Sequence, residues 1–177
     1  MPLVRRMQRP FGVSQPKELR SYDYATMPYE EVRAILRSDA LALFQRATLT
    51  ALERAKLVGA ALRTRIGPVE IGVEVSIRVV RATEEISALG ERSLRLEIAW
   101  TAAERAALFP SMEAILVARP LSSGETQLEL QGRYQPPLGP VGVLLDALVG
   151  HRIAEASVQR FVQDVAKRLN DEHAGRA

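Results

Sequence analysis

The sequence predicts an α+β fold in which an antiparallel β-sheet is covered on one face by a long C-terminal α-helix. Three observations support this prediction. Apolar and polar residues alternate through the middle of the chain, which is typical of strands with one buried face. The C-terminal region instead has apolar residues at steps of three and four, which form one face of a helix. Two short helical patterns near the start show that helices and strands are segregated along the chain.

The length and composition favour one domain without disulfides or a cofactor. A chain of 177 residues most simply forms a single domain. We predict a flexible arm over residues 1–18, the domain over residues 19–170 and a frayed tail over residues 171–177. The absence of cysteine and the presence of only two histidines exclude thiolate chemistry and histidine-rich metal sites.

Charge and hydropathy restrict the partners and the location. A net charge of +3 is too small to indicate nucleic-acid binding. The chain lacks an apolar run of the length that a membrane span needs, about 18 residues. It also lacks the apolar core of a secretory signal, so we expect a cytoplasmic protein without integral membrane contact.

The first elements are a strand and two helices. Leu19–Thr26 contains two tyrosines and suits a strand. Tyr29–Arg37 follows a proline and carries acidic residues in its first turn, which favours a helix start. Asp39 can cap a second helix that begins at Ala40 and ends between Thr48 and Lys56.

Alternating segments then predict a run of antiparallel strands. Val58–Ile66 and Val69–Val79 alternate on either side of a Gly-Pro turn, which predicts a hairpin. Residues 82–92 are predicted as a polar connection. The later strands are predicted at Leu94–Trp100, Ser111–Arg119 and Thr126–Tyr134. The first two are joined by Thr101–Phe109, which is predicted as a short helix or an irregular loop, and the last two by a turn over Pro120–Gly124.

The terminal helix is predicted from Pro140 to Leu169. It follows the segment GRYQPPLG, whose prolines exclude a continuing strand. Gly150 interrupts the helix pattern. His151 and Glu155 lie on or near its apolar stripe, four residues apart, so their side chains can meet.

This order of elements resembles the helix-grip fold of the START-like (SRPBCC) superfamily. LFPSM at Leu108–Met112 and GRYQPPLG from Gly132 are similar to segments of uncharacterised bacterial members. The resemblance covers residues 19–169. It implies a curved antiparallel sheet wrapped around a long C-terminal helix, two short helices after the first strand, and a cavity between sheet and helix. Because members include polyketide cyclases, lipid-transfer domains and pollen allergens, the fold does not fix the chemistry.

The inward strand faces and the terminal helix are the predicted ligand site. Inward positions on the strands include Val58, Leu62, Val73, Val75, Leu96, Ile98, Leu128 and Leu130. These residues could equally form a solid core, but the resemblance favours a hydrophobic pocket. The predicted ligand-binding residues are Phe44, Val75, Leu96, Trp100, Tyr134, Leu148, His151 and Phe161.

His151 and Glu155 are the candidates for catalysis. A carboxylate can orient an imidazole, and a positioned histidine can act as a general base. A small rotation of the helix would instead place them in a solvated ion-pair row with Asp146 and Arg152. The sequence contains no glycine-rich phosphate loop and no metal-ligand spacing, so no cofactor is expected.

The leading hypothesis is therefore binding or transport of a small hydrophobic ligand, such as a lipid, an isoprenoid or a polyketide-like molecule. The expected partner is this apolar ligand, and a homodimer is left open. One alternative is a cyclase or aromatase that uses His151 and Glu155. Another is a non-catalytic interaction module that binds a partner through the open sheet surface or the N-terminal arm.

Overall fold

The computed structural model describes residues 16–66, 75–102, 111–135 and 151–175. They form five strands and two long helical elements, so the α+β prediction is confirmed. In chain order these are β1 (Lys17–Ala25), α1 (Tyr29–Ile66), β2 (Val75–Ile86), β3 (Arg92–Ala102), β4 (Ser111–Ser122), β5 (Glu125–Gln135) and α2 (His151–Ala174). No described helix combines the length and apolar character that a membrane crossing needs.

The five strands form one antiparallel sheet in the order β1-β5-β4-β3-β2. Consecutive strands from β2 to β5 pair as neighbours, and β1 adds to the free side of β5. At one end of the sheet Trp100 lies opposite Met112, Met112 opposite Tyr134, and Tyr134 opposite Lys17. We call this the Trp100 end of the sheet. The β1–α1 turn follows Ala25 at the opposite end.

The core lies between the sheet and the two helices. Because side chains alternate across a strand, one face of the sheet collects the apolar residues. Each fully buried leucine or isoleucine contributes about 1.5–3 kcal/mol. Both helices add buried apolar side chains, and α2 packs against α1, β1 and β5. The sheet contributes Leu19, Ile77, Leu94, Leu96, Ile98, Trp100, Ala114, Leu116, Ala118, Leu128, Leu130 and Tyr134.

Hydrogen bonds fasten the last turns of α2 to the β1–α1 turn. The backbone N–H of Thr26 donates to Asn170 Oδ1 over 2.7 Å. The nitrogen His173 Nδ1 lies 2.9 Å from Glu31 Oε2, which joins α2 to α1. The C-terminal end of α2 is therefore fixed at the β1–α1 end of the sheet.

A closed ring of four charged side chains joins α1 to β2 and β3. Glu30 contacts Arg33 at 2.8 Å and Arg92 at 3.0 Å. Glu84 contacts the same two arginines, at 2.8 Å and 3.3 Å. Burial alone would raise the pKa of Glu84, but its arginine partners outweigh burial and lower that pKa. Each carboxylate therefore bridges both guanidinium groups.

The two predicted helices after β1 are present as the two segments of α1, which break at Asp39. Asp39 has φ −137° and ψ 24°, outside the helical region, as expected for a residue that caps a following helix. The second segment is longer than predicted. It runs to Ile66, so the prediction of a strand over Val58–Ile66 is wrong.

The error over Val58–Ile66 has a physical cause. The segment contains two alanines, one leucine and two arginines, which all have high helix propensity. A helix that is already nucleated also extends at little cost. Val58 and Leu62 are therefore helical, and their assignment to a strand wall of the pocket is wrong. The predicted partner residues 69–73 lie outside the described residues.

Three elements, β1, β2 and α2, extend beyond their predicted ends. Strand β1 begins at Lys17, inside the predicted arm, and α2 continues to Ala174, inside the predicted tail. Strand β2 continues to Ile86, through part of the predicted polar connection. The register of β2 shifts between Val79 and Arg81. The extra residue exchanges the inward and outward positions after it, so the two-residue alternation does not continue along the strand.

Candidate functional site

Three aromatic rings from three elements meet near the Trp100 end of the sheet. The Trp100 ring on β3 lies 5.1 Å from the Phe161 ring on α2, nearly perpendicular at 82°. The Phe44 ring on α1 lies 5.6 Å from Phe161. Such edge-to-face pairs place the positive edge of one ring against the negative face of the other. Phe161 is therefore the link between the sheet and both helices.

The polar atom of Trp100 is satisfied inside the core. Trp100 Nε1 donates a hydrogen bond to Thr48 Oγ1 over 3.1 Å. Thr48 lies one helical turn after Phe44, so both side chains face the same side of α1. Thr48 was not among the predicted site residues, although its spacing of four residues from Phe44 indicates that the two side chains share one face of the helix. The buried indole thus has a fixed orientation.

Tyr134 and His151 form a second contact at this end. Their rings are stacked, with centroids 6.3 Å apart and planes inclined by 21°. Tyr134 is buried on β5, whereas the His151 side chain at the start of the described helix α2 is 40% exposed. This pair therefore stands between the apolar interior and solvent.

The predicted His151–Glu155 contact is present. His151 Nε2 lies 3.1 Å from Glu155 Oε1, one helical turn away. Glu155 is more than half exposed, with 57% of its side chain in solvent. The other ring nitrogen, Nδ1, is buried and has no hydrogen-bond partner among the described residues. The two nitrogens of His151 therefore have different surroundings.

The structure brings most of the predicted site residues into one region. Leu96 lies on the same inward face of β3 as Trp100, four residues away, and is fully buried. Val75 begins β2 opposite Ala102, so its backbone lies at the Trp100 end. Leu148 and Gly150 lie outside the described residues. Whether any of these residues binds a ligand stays a prediction.

A groove of about 730 Å³ lies on the opposite, outward face of the sheet. Its charged walls carry three arginines and three glutamates, namely Arg20, Arg78, Arg133, Glu18, Glu97 and Glu113. An apolar ligand would gain little from such walls, because it would remove charged groups from water. We therefore place the candidate site on the inner face.

Glu129 is a buried carboxylate on this outward face that the sequence analysis missed. It receives hydrogen bonds from Arg20 Nε at 2.6 Å and from Gln131 Nε2 at 2.9 Å, and it also pairs with Arg119. Burial raises the pKa of Glu129, but the bonds from Gln131 and the two arginines outweigh burial and lower it. The alternation of β5 indicates an exposed side chain at Glu129. The arginines that pair with Glu129 lie on the neighbouring strands, and the pattern within β5 alone does not show them.

Replacing Glu129 with glutamine is expected to reduce the free energy of unfolding by about 1–2 kcal/mol near neutral pH. The loss is moderate because both arginine side chains are partly in solvent. Since the folded pKa is lowered, the stabilisation by Glu129 is complete above the unfolded pKa and decreases as pH falls through the folded pKa. Denaturation of both proteins across acidic pH should show the difference shrinking.

The matched control for this substitution is Glu18→Gln. Glu18 is exposed and pairs with Arg133 across β1 and β5 at 3.2 Å. Its replacement should change stability by less than about 0.5 kcal/mol at every pH. An equal loss in the two variants would contradict a special role of the buried carboxylate.

The described residues provide no obvious metal site. Within residues 16–66, 75–102, 111–135 and 151–175, no three histidine, aspartate or glutamate side chains come together as ligands.

The arrangement of the described elements decides the fold. An antiparallel sheet carries a long C-terminal helix across its apolar face, and the helices after β1 pack beside that helix. The chain has the helix-grip fold. The predicted helix-grip fold is thus confirmed.

Comparisons with known proteins add fold likenesses only. No family profile matches the chain, and no curated protein matches its sequence. The chain is similar to a solved Thermus thermophilus protein, with 19% identity, 86% and 97% of the two chains covered, and a TM-score of 0.44. It is also similar to an aromatase/cyclase from a Streptomyces species, with 14% identity, coverage of 88% of this chain and 96% of the other, and a TM-score of 0.37. The likeness to norcoclaurine synthase from Thalictrum flavum has 8% identity, coverage of 97% of each chain and a TM-score of 0.43.

Proposed function

We propose that this protein binds a small hydrophobic ligand between the sheet and α2, near the Trp100 end of the sheet. The observation that carries the proposal is a set of buried aromatic side chains at this end of the core, with a partly exposed imidazole at its edge. Phe44, Trp100 and Phe161 form one buried cluster. Tyr134 is also buried, and His151, which is stacked on it, is partly exposed.

The different contacts at the two ends of the sheet support this location for the ligand site. At the β1–α1 end, Asn170, His173 and the charged ring of Glu30, Arg33, Glu84 and Arg92 join the elements. At the Trp100 end, the partly exposed His151 is stacked against the buried Tyr134. A ligand would therefore enter beside His151.

Binding would come mainly from removal of apolar surface from water. Burial contributes about 25 cal/mol per Å² before the cost of ordering the ligand and side chains is subtracted. Aromatic rings add edge-to-face and stacked contacts with an unsaturated or polycyclic ligand. A lipid, an isoprenoid or a polyketide-like molecule would satisfy these conditions. The cytoplasmic location and the domain limits at residues 19 and 170 remain predictions.

Native mass spectrometry and a fluorescence titration would test this proposal. Freshly purified protein is expected to carry an extractable apolar adduct, or to bind a member of a panel of fatty acids, isoprenoid alcohols and polycyclic phenols. Trp100 is the only tryptophan, so its emission reports directly on this region. Tyr134→Leu should weaken binding about tenfold or more, since it removes the ring that stacks on His151.

Tyr22→Leu is the matched control for the binding test. Tyr22 lies on the outward face of β1 and is 61% exposed, so its replacement should leave affinity unchanged. Circular dichroism and thermal unfolding would show that both variants fold. A clean apo mass together with no binding from the panel would overturn the proposal.

A second candidate function is catalysis by His151, and one observation favours it. Glu155 contacts one ring nitrogen and leaves the other, buried nitrogen without a described partner, as a general base requires. This function would be of the cyclase or aromatase type. Product analysis with polyketide-type substrates should show turnover that His151→Ala abolishes while folding is retained. Turnover that persists in the variant would exclude this role.

A further inference from the structure

The two nitrogens of the His151 ring are constrained in different ways. Nε2 lies 3.1 Å from a carboxylate oxygen of Glu155, and an ionised carboxylate can only accept hydrogen bonds. In the neutral imidazole the proton therefore belongs on Nε2. The other nitrogen, Nδ1, then carries a lone pair and acts as an acceptor.

The acceptor at Nδ1 is held in a fixed direction. The His151 ring is stacked on Tyr134, which is only 2% exposed and belongs to the sheet. A half-turn of the imidazole would remove the contact of Nε2 with Glu155, and other rotations about its side-chain bonds would also break the stack. Nδ1 itself is buried and has no partner among the described residues. A buried acceptor without a partner is costly, so a ligand that supplies a donor would relieve that cost.

We propose that His151 selects ligands that carry a hydroxyl, phenol or N–H group, by accepting a hydrogen bond at Nδ1. This inference rests on the proposed binding function and specifies its ligand class. The preferred ligand has an apolar body, which packs near Trp100 and Phe161, and one donor at the end beside His151. Ethers and esters of the same shape are disfavoured because two acceptors would then face each other.

Carboxylate ligands are disfavoured for a related reason. A carboxylate would bring its negative charge to an unprotonated nitrogen, with the charge of Glu155 on the other side of the same ring. Simple fatty acids therefore fit this end of the site less well than alcohols or phenols of equal length. A site that selected only for apolar character would not distinguish these ligands in this way.

Two probes of nearly equal shape would test the selection. These are 2-naphthol, which has a hydroxyl donor, and 2-methoxynaphthalene, which has only an acceptor. Affinities would be measured by calorimetry at a pH where nitrogen-15 NMR shows a single proton on the ring of His151. The full chain is expected to prefer 2-naphthol by about tenfold or more, as for sites that hydrogen-bond a hydroxyl.

The variant His151→Phe keeps a ring that can stack on Tyr134 and removes the acceptor. It should lose the preference between the probes, because the hydroxyl of 2-naphthol then has no acceptor and the ether oxygen of 2-methoxynaphthalene no longer faces one. Lys167→Gln is the control, because Lys167 lies on the same helix, is largely exposed and, within the described part of the chain, pairs with Asp171. That control should retain the full preference.

Nitrogen-15 NMR of His151 gives an independent readout. The Nδ1 signal should be that of an unprotonated nitrogen, and it should shift with 2-naphthol but not with 2-methoxynaphthalene. Equal binding of both probes to the wild type, or a protonated Nδ1, would overturn this inference and leave the proposed function standing. Failure of the chain to bind either probe or any member of the apolar panel would overturn both.

Discussion

Replacing Phe161 with alanine is expected to lower the free energy of unfolding by about 3–5 kcal/mol. The side chain is 2% exposed and contacts the rings of Trp100 and Phe44. Its removal leaves a cavity at the point where the sheet and both helices meet, and the surrounding rings can relax only in part. Denaturation in urea, followed by the emission of Trp100, would measure the loss.

Leu89→Ala is the control for the Phe161 experiment. Leu89 lies in the turn between β2 and β3 and is 87% exposed, so its replacement removes almost no buried surface. We expect a change of less than about 0.5 kcal/mol in this control. If Phe161→Ala lowered stability by no more than the control does, the three rings would not form a shared core.

Replacing Gly132 with valine is expected to destabilise the protein by about 2–3 kcal/mol through overpacking. A Cβ atom at this position would lie 3.1 Å from Ala114 Cβ and 3.3 Å from the backbone oxygen of Glu113. The backbone oxygen belongs to the neighbouring strand β4 and cannot move without disturbing the sheet. Valine suits strands in general, but this gain is smaller than the cost of the close contacts.

Gly124→Ala separates crowding from the general effect of replacing a glycine. Gly124 lies in the turn between β4 and β5, and a Cβ atom there would meet nothing within 4 Å. Its replacement should change stability by less than about 0.5 kcal/mol. Equal thermal unfolding of Gly132→Val and the wild type would show that β4 and β5 can separate to accommodate the side chain.

Alternation along β3 and β5 was sufficient to predict which side chains face the core. Leu96, Ile98, Leu128 and Leu130 were predicted to point inward and are all buried. Alternate residues of a strand point to opposite faces, so the apolar residues within one strand show which of its side chains are buried. The contact of His151 with Glu155 was predictable for a similar reason, since helical spacing places them together.

Other features depend on contacts between distant segments and could not be predicted. The extension of α1 to Ile66 reflects helix propensity and the preceding helix, which compete with an apparent alternation. The burial of Glu129 depends on Arg20 and Arg119, which lie on neighbouring strands. The register shift after Val79 changes which residues of β2 face the core, and the local sequence contains no signal of this shift.

Helix α2 is held by different kinds of contact near its two described ends. Near the C-terminal end, Asn170 is hydrogen-bonded to Thr26 through polar atoms. Towards the other described end, His151 is stacked on Tyr134. The distance between His151 and Asn170 along the helix is about 28 Å at 1.5 Å per residue. Because residues this far apart share no partners, substitutions at the two ends should add in their effect on the free energy of unfolding.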